Sequence, residues 1–378
     1  MRKKLLALLV GTFIGVSFLS VGICEEPPAQ RAKDALIVRT LLRLSNVDLA
    51  DKPEAKAALL RYLESQKGTD KYLELVEKFN LREAKDELLE LALSQPEGTQ
   101  GVAAAKLLVK FGERDLIAKA ISGSDEASAA DAIRVFGLLA DATTNDYFQA
   151  VVTDEKRGVQ LRSLAVAALG RNAPGQQWLL NLVEQGKLPA DLKFSAANAL
   201  LSSADETIRL AASKHLTLPA TADSKPLPPL AELVKMTGDV ERGRQLFFST
   251  TANCAKCHKV KGEGKEVGPD LSEIGSKLSR EAMYVSVLDP SAGISFNYET
   301  HLARLIDGTI ISGILVSQTD DEVDLKTAEA IVHKLKREDI EQMKKQPVSI
   351  MPADLQKQLK VQDLVDLVEY LVTLKKPS

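Results

Sequence analysis

Cys254-Ala255-Lys256-Cys257-His258 is the stretch whose reading decides the fold. C-x-x-C-H is the pattern through which c-type haem is attached. Two thiols separated by two residues lie on one turn, at the spacing of the haem vinyl groups, and can add across them as thioethers. The histidine directly after them is then placed beneath the iron as its proximal ligand. Only three Cys and four His occur in 378 residues, so the motif is specific. A zinc half-site would need two more ligands at metal-ligand spacing. The histidines further on, His301 and His333, form no H-x₃₋₅-H pair. A thioredoxin-type C-x-x-C needs a βαβ setting, whereas a Gly/Lys-rich loop comes next here.

Around this motif the chain sets out a compact helical domain over 238–376. Asp239 and Glu241 put negative charge in the first turn of a helix, where the helix dipole favours it. Val240, Gly243, Leu246 and Phe247 make its inward stripe. Glycine costs helix propensity at 243, and a reason to use it is a close crossing with another helix. The expected partner is the last helix, where Leu364, Leu367, Val368, Leu371 and Leu374 align beside Tyr370. Between them, 296–336 reads as β. Segments 298–306 and 309–316 flank Asp307-Gly308, a two-residue hairpin signal. Val323 and Leu325 alternate on a third strand, and 331–335 makes a fourth. His301 and His333 read as surface or cross-strand residues. Met343 falls in a Lys-rich stretch read as helical, and Met283 on a helix where it fills the core. Met283, Met343, Met351, His301 and His333 are the candidates for a sixth iron ligand; Met351 is followed by Pro352 and lies shortly before the last helix.

Upstream, 32–216 is helical in pattern, with apolar residues at three- and four-residue steps. Leu107 to Gly112, Ala132 to Gly137, Ala165 to Gly170 and Ala196 to Leu201 repeat a motif late in successive Ala-rich helices, 25, 33 and 31 residues apart. Small residues on one face let adjacent helical pairs stack. The segment 159–170 resembles the second helix of a HEAT-type repeat; an ordinary helical bundle is the alternative. No catalytic constellation is visible there, and His215 reads as structural. Pro219, Pro226, Pro228 and Pro229 mark 217–237 as a linker. Residues 1–24 read as a targeting segment, with Arg2, Lys3 and Lys4 before an uncharged apolar run and a small-x-small site at Ser20-Val21-Gly22. An uncleaved membrane anchor and lipidation at Cys24 are alternatives. In each case the chain from residue 25 onward is exported, to the periplasm or another extracytoplasmic space. The length fits two or three domains. A net charge of −3 argues against nucleic acid as a partner.

The helix with Gly and Phe, C-x-x-C-H, Gly268-Pro269-Asp270-Leu271 and the closing helix ending in Tyr370-Leu371 together resemble a class I cytochrome c. The resemblance implies that the Pro269 carbonyl accepts a hydrogen bond from His258 Nδ1, raising the ring's basicity. It also implies Met351 as distal ligand, in a Met/His pair. With Asp289-Pro290-Ser291, the Tyr298 strand, Asp307-Gly308 and Met351-Pro352 added, residues 238–376 resemble the haem-binding domain of Planctomycetes and Verrucomicrobia, which is often found after HEAT-like repeats. The expected fold class is mainly α: an N-terminal HEAT-like α-solenoid, then a cytochrome c-like helical domain with a small antiparallel β insertion. The resemblance implies one covalent haem c and electron transfer, without enzymatic activity of its own. It does not identify the redox partner; a redox partner protein, such as an exported dehydrogenase, is expected, with membrane contact only through an N-terminal anchor or lipid. A haem-containing interaction protein or redox sensor is the alternative. No propeller repeat or glycine-rich nucleotide loop precedes the domain, so a dehydrogenase activity would belong to a partner.

Overall fold

The computed structural model describes residues 27–44, 49 and 51–376. The targeting segment 1–24 therefore lies outside the described residues. The chain divides into two compact units, with the boundary between Leu81 and Arg82. That boundary lies within the stretch read as one array, and not at the prolines of 217–237.

The first unit holds α1 (Pro28–Leu42), α2 (Pro53–Glu64) and α3 (Asp70–Lys78). Proline opens α1 and α2, at the position where a helix needs no N–H. Asp34 is buried on α1 and accepts two hydrogen bonds of 2.8 Å from the Arg61 guanidinium of α2. That bidentate pair fixes the helical hairpin.

The second unit begins with α4 (Lys85–Ser94), α5 (Thr99–Phe111), α6 (Arg114–Ser122), α7 (Glu126–Leu138), α8 (Asn145–Thr153), α9 (Val159–Leu169), α10 (Ala173–Glu184), α11 (Lys193–Leu201) and α12 (Glu206–Ala212). α5, α7, α9 and α11 stack in succession, while α6 packs on α8 and α10 on α12. The repeated motif falls at the ends of the first series. Its small residues let the helices approach: a Cβ at Gly137 would lie 2.7 Å from Ala168 Cβ, and one at Gly170 would lie 2.7 Å from Ala199 Cβ. Polar side chains bridge neighbouring pairs too. Asn145 and Asn172 exchange amide hydrogen bonds of 2.9 and 3.0 Å, and Ser203 donates to Gln176 at 2.7 Å.

The proline-rich segment is folded rather than an extended spacer. Its backbone bonds back on itself from Leu227 N–H to Pro219 O, and reaches Leu359 O from Ala222 N–H, both at 2.9 Å. Leu227 and two leucines of the short α13 (Leu230–Leu233) are buried in the C-terminal core. Apolar burial at 227, 230 and 233 outweighs the proline signal for extended chain. The Leu230 N–H is capped by Asn198 Oδ1 of α11 at 3.0 Å, and Phe194 of α11 packs on the same core.

That core is built by α14 (Val240–Phe248), α15 (Arg280–Leu288) and α16 (Val361–Thr373). Asp239 caps α14 by accepting from the Arg242 N–H. α14 crosses α16 at Gly243, where an added Cβ would collide with the Asp366 carbonyl oxygen and lie 2.9 Å from Tyr370 Cβ. Phe247 meets Tyr370 edge-on, with ring centroids 5.9 Å apart. Arg280 of α15 holds Glu369 of α16 in a bidentate pair at 2.7 and 2.9 Å.

Two small antiparallel sheets complete the domain. β1 (Lys259–Val260) pairs with β2 (Glu263–Gly264). The larger sheet contains β3 (Thr300–Leu305), β4 (Ile310–Gln318), β5 (Glu322–Lys326), β6 (Val332–Lys336) and β7 (Ile340–Lys345), in the order β6-β5-β4-β3-β7. The edge strands β6 and β7 are consecutive in the chain. Both turn residues onto one small core: Leu335 from β6, Ile340 and Met343 from β7, around Ala303, Val323 and Leu325. The sheet is thus curled on itself. It runs to residue 345, beyond the expected end at 336, because the Lys-rich stretch holding Met343 is a strand, not a helix. A bulge opposite Arg304 and Leu305 leaves Glu341 as an extra residue on β7. Ile340 and Met343 then face inward three residues apart, a spacing that imitates a helix.

Asp366 is the buried charge of the α14–α16 crossing. It accepts from Arg242, and at 2.9 Å from both the Asp239 N–H and Gln362 Nε2. Burial pushes its carboxyl up, but the hydrogen bond from Arg242, with those from Asp239 and Gln362, outweighs burial and holds it below the usual range. A depressed folded-state pKa stabilises above the unfolded value, and that contribution is lost as pH falls through the folded value. Asp366→Asn should therefore lower stability at neutral pH by about 2 kcal/mol, the scale of hydrogen bonds to a charged acceptor. It should also flatten the acid limb of the stability–pH curve. Denaturant melts of both proteins from pH 7 down to pH 3 measure this, and parallel curves would refute it.

Candidate functional site

The attachment motif begins where α14 has ended and the chain reverses. Asn253 takes the left-handed conformation, with φ of 60°. A single 3₁₀ turn, Cys254–Lys256, comes next. His258 N–H and Cys257 N–H both donate to the Cys254 carbonyl, at 2.9 and 3.0 Å. The turn is thereby closed with Cys254, Cys257 and His258 on one short loop. The Val267 and Gly268 N–H groups donate to the Cys257 carbonyl at 2.9 and 2.8 Å, so the Gly-Pro-Asp-Leu segment is laid against the motif by its backbone.

The two thiols are not joined to each other. Burial pushes the Cys254 thiol up to about 12. Burial also raises Cys257, against the opposing charges of Lys256 and Lys265. Both sulfurs thus carry their protons at neutral pH and are poor nucleophiles toward disulfide exchange.

His258 Nδ1 lies 2.8 Å from the Pro269 carbonyl oxygen. A carbonyl can only accept, so Nδ1 carries the hydrogen. Burial lowers the imidazole below its usual range, outweighing the hydrogen bond to Pro269. The ring is therefore neutral at physiological pH, with its lone pair on Nε2, the form that ligates metals. A Cβ at Gly268 would lie 2.5 Å from His258 Cε1 and 2.9 Å from Nδ1. Only glycine leaves the ring this place beside the loop. This role of Gly268 escaped the sequence reading; its signal was a glycine directly before the proline.

Met351 sits half-buried in the irregular segment between β7 and the 3₁₀ turn Leu355–Gln358. Its N–H donates to Ser349 Oγ at 3.1 Å, and the Ser349 N–H donates to Ser291 Oγ at 3.1 Å. The sequence announces neither serine's contact: Ser291 belongs to the Asp289-Pro290-Ser291 motif, but nothing in the motif points to Ser349. Met283 is buried in the helical core, and Met343 packs in the curled sheet. His301 lies on β3, with Nδ1 3.1 Å from the Glu299 carbonyl oxygen, and His333 lies on β6 opposite Leu325.

The donor set fits a c-type haem. It offers two free thiols on one loop, an imidazole with a fixed tautomer, and a glycine cradle that holds the ring. Among the described residues, no three His, Cys, Asp or Glu side chains gather as a metal site. Among those residues, no helix is long and apolar enough to cross a membrane. Comparison with curated proteins finds no match. Residues 240–303, which take in α14, the attachment loop, Pro269 and α15, match the family model for cytochrome c, so the chain carries a cytochrome c haem-binding domain, and with it support for c-type haem and electron transfer.

Proposed function

We propose that this protein is an exported, single-haem c-type cytochrome that carries electrons, of the haem-binding type found in Planctomycetes and Verrucomicrobia. Cys254 and Cys257 hold the haem covalently, His258 is the proximal ligand and Met351 the distal one. The observation that carries this reading is the pairing of two free thiols with an imidazole held through Nδ1 by Pro269 at 2.8 Å. When bound, haem c supplies a one-electron ferric/ferrous couple. The chain's part is to hold that couple still. The thioether links keep the group from leaving, and the Pro269 carbonyl orients the ring and raises its basicity as a ligand. Met351 would supply a thioether sulfur to the iron, a ligand that would raise the potential. With His258 and Met351 both holding the iron, substrate would have no open iron to reach. The helical array is the surface for a redox partner, of the exported dehydrogenase class.

Spectra in both redox states test the proposal. The ferric protein should be low-spin, with the weak near-infrared sulfur-to-iron charge-transfer band. Met351→Ala should abolish that band, keep the haem attached and bind cyanide readily. A parent protein that is high-spin, binds cyanide at once and turns over peroxide would replace the carrier with an enzyme.

A further inference from the structure

The turn Asp289-Pro290-Ser291 has no place in the chemistry so far, yet it is firmly built. It comes directly after α15. The Asp289 N–H closes on Val285 O at 2.7 Å and the Ala292 N–H on Asp289 O at 2.9 Å. Pro290 and Ala292 are buried. Gly293 faces α9, where an added Cβ would lie 3.5 Å from the Gln160 carboxamide carbon. The turn thus has the helical core on one side and the array beside it. From this fixed turn the Ser291 hydroxyl oxygen accepts the Ser349 N–H, and the Ser349 hydroxyl oxygen accepts the Met351 N–H. The same segment is held at its start, where the Gln346 N–H donates to Thr300 O at 2.8 Å.

We propose that Ser291 and Ser349 are positioning residues for the distal ligand. Together they relay the rigidity of the α15 turn to the backbone of Met351. This rests on the reading of Met351 as that ligand. An irregular segment has no ladder to satisfy its N–H groups, so side-chain oxygens must do it. Two hydroxyls in series do so here, at 349 and at 351 itself. Methionine is unbranched and flexible; a fixed backbone leaves only its side chain to be ordered. Any ligand that displaces the thioether must wait for the segment to open, and its apparent affinity is reduced by the fraction that is open.

Removal of either hydroxyl should raise that open fraction about tenfold, the worth of one hydrogen bond. In the full-length ferric protein, Ser291→Ala and Ser349→Ala should each retain the near-infrared band at neutral pH. Each should bind cyanide about tenfold faster than the parent, in proportion to that open fraction. Ser291→Thr, which keeps the hydroxyl, should restore the parent's rate. Ser279→Ala removes the cap of α15 and should lower stability without changing the cyanide rate, which separates positioning from general loosening. Met351→Ala is run alongside. If it keeps the band, the ligand assignment fails and the proposal falls with it. If it loses the band while both serine variants bind cyanide at the parent's rate, the positioning role is overturned and the ligand assignment stands.

Discussion

Gly243→Val should leave the chain without a stable haem domain. At this position α14 approaches α16 so closely that even one added carbon strikes the Asp366 carbonyl oxygen, and backbone cannot rotate away as a side chain can. The two helices must separate or shift along each other. Either movement pulls Phe247 from Tyr370 and opens the core around Leu364, Leu367 and Val368, all buried. Overpacking of an ordinary core costs about 1–3 kcal/mol. With backbone as the obstacle the upper end or beyond is expected, a large share of the roughly 5–15 kcal/mol that holds a domain together. Gly243→Ala decides the matter more finely. Alanine gains about 1 kcal/mol in helix propensity over glycine, so at an uncrowded site it would stabilise. Here it should lower the melting temperature instead. A Gly243→Ala protein that melts above the parent would mean that the crossing is looser than described.

Replacement of both attachment cysteines, Cys254→Ser with Cys257→Ser, should abolish covalent haem altogether. The parent should keep its haem stain through denaturing electrophoresis, and the double variant should show none. Cys257→Ser alone should weaken or remove it. The expectation rests on the loop itself: the described residues contain no other cysteine, and the Cys254 carbonyl organises the turn through backbone N–H groups that serine leaves untouched. Loss of stain would therefore report lost chemistry rather than a lost fold, and circular dichroism of the double variant should confirm that the helices remain. Haem that extracts completely from the parent into acidic organic solvent would sink the claim.

Much of this was legible because the physics is local or strongly patterned. The Gly243 crossing could be anticipated, since a glycine in an otherwise sound helix calls for a neighbour that forbids a side chain. The Asp307-Gly308 hairpin could be read from turn chemistry, with Gly308 at φ of 86°. The motif ending in Gly137 and Gly170 located the tight contacts between stacked helices. What escaped depended on partners distant in sequence. β7 is written in helix-forming residues, and becomes a strand because β3 offers an unpaired edge and a bulge resets the inward face. The leucines of 227–233 were masked by prolines, and only the core they enter explains them. The Ser291–Ser349 relay joins residues 58 apart through one hydrogen bond, and no periodicity announces such a contact.

Stacked helical repeats are stabilised by their neighbours, and an exposed last repeat needs a polar cap to stay soluble. In this chain the folded segment after the array removes that need. Phe194, in the first turn of α11, packs on the C-terminal core, and Asn198 of the same helix caps α13. The haem domain thereby covers part of α11, near that end of the array. Haem domain and helical array are therefore not beads on a string. Excision of the haem domain at residue 237 would strip it of three core leucines, Leu227, Leu230 and Leu233, and uncover Phe194 on what remains.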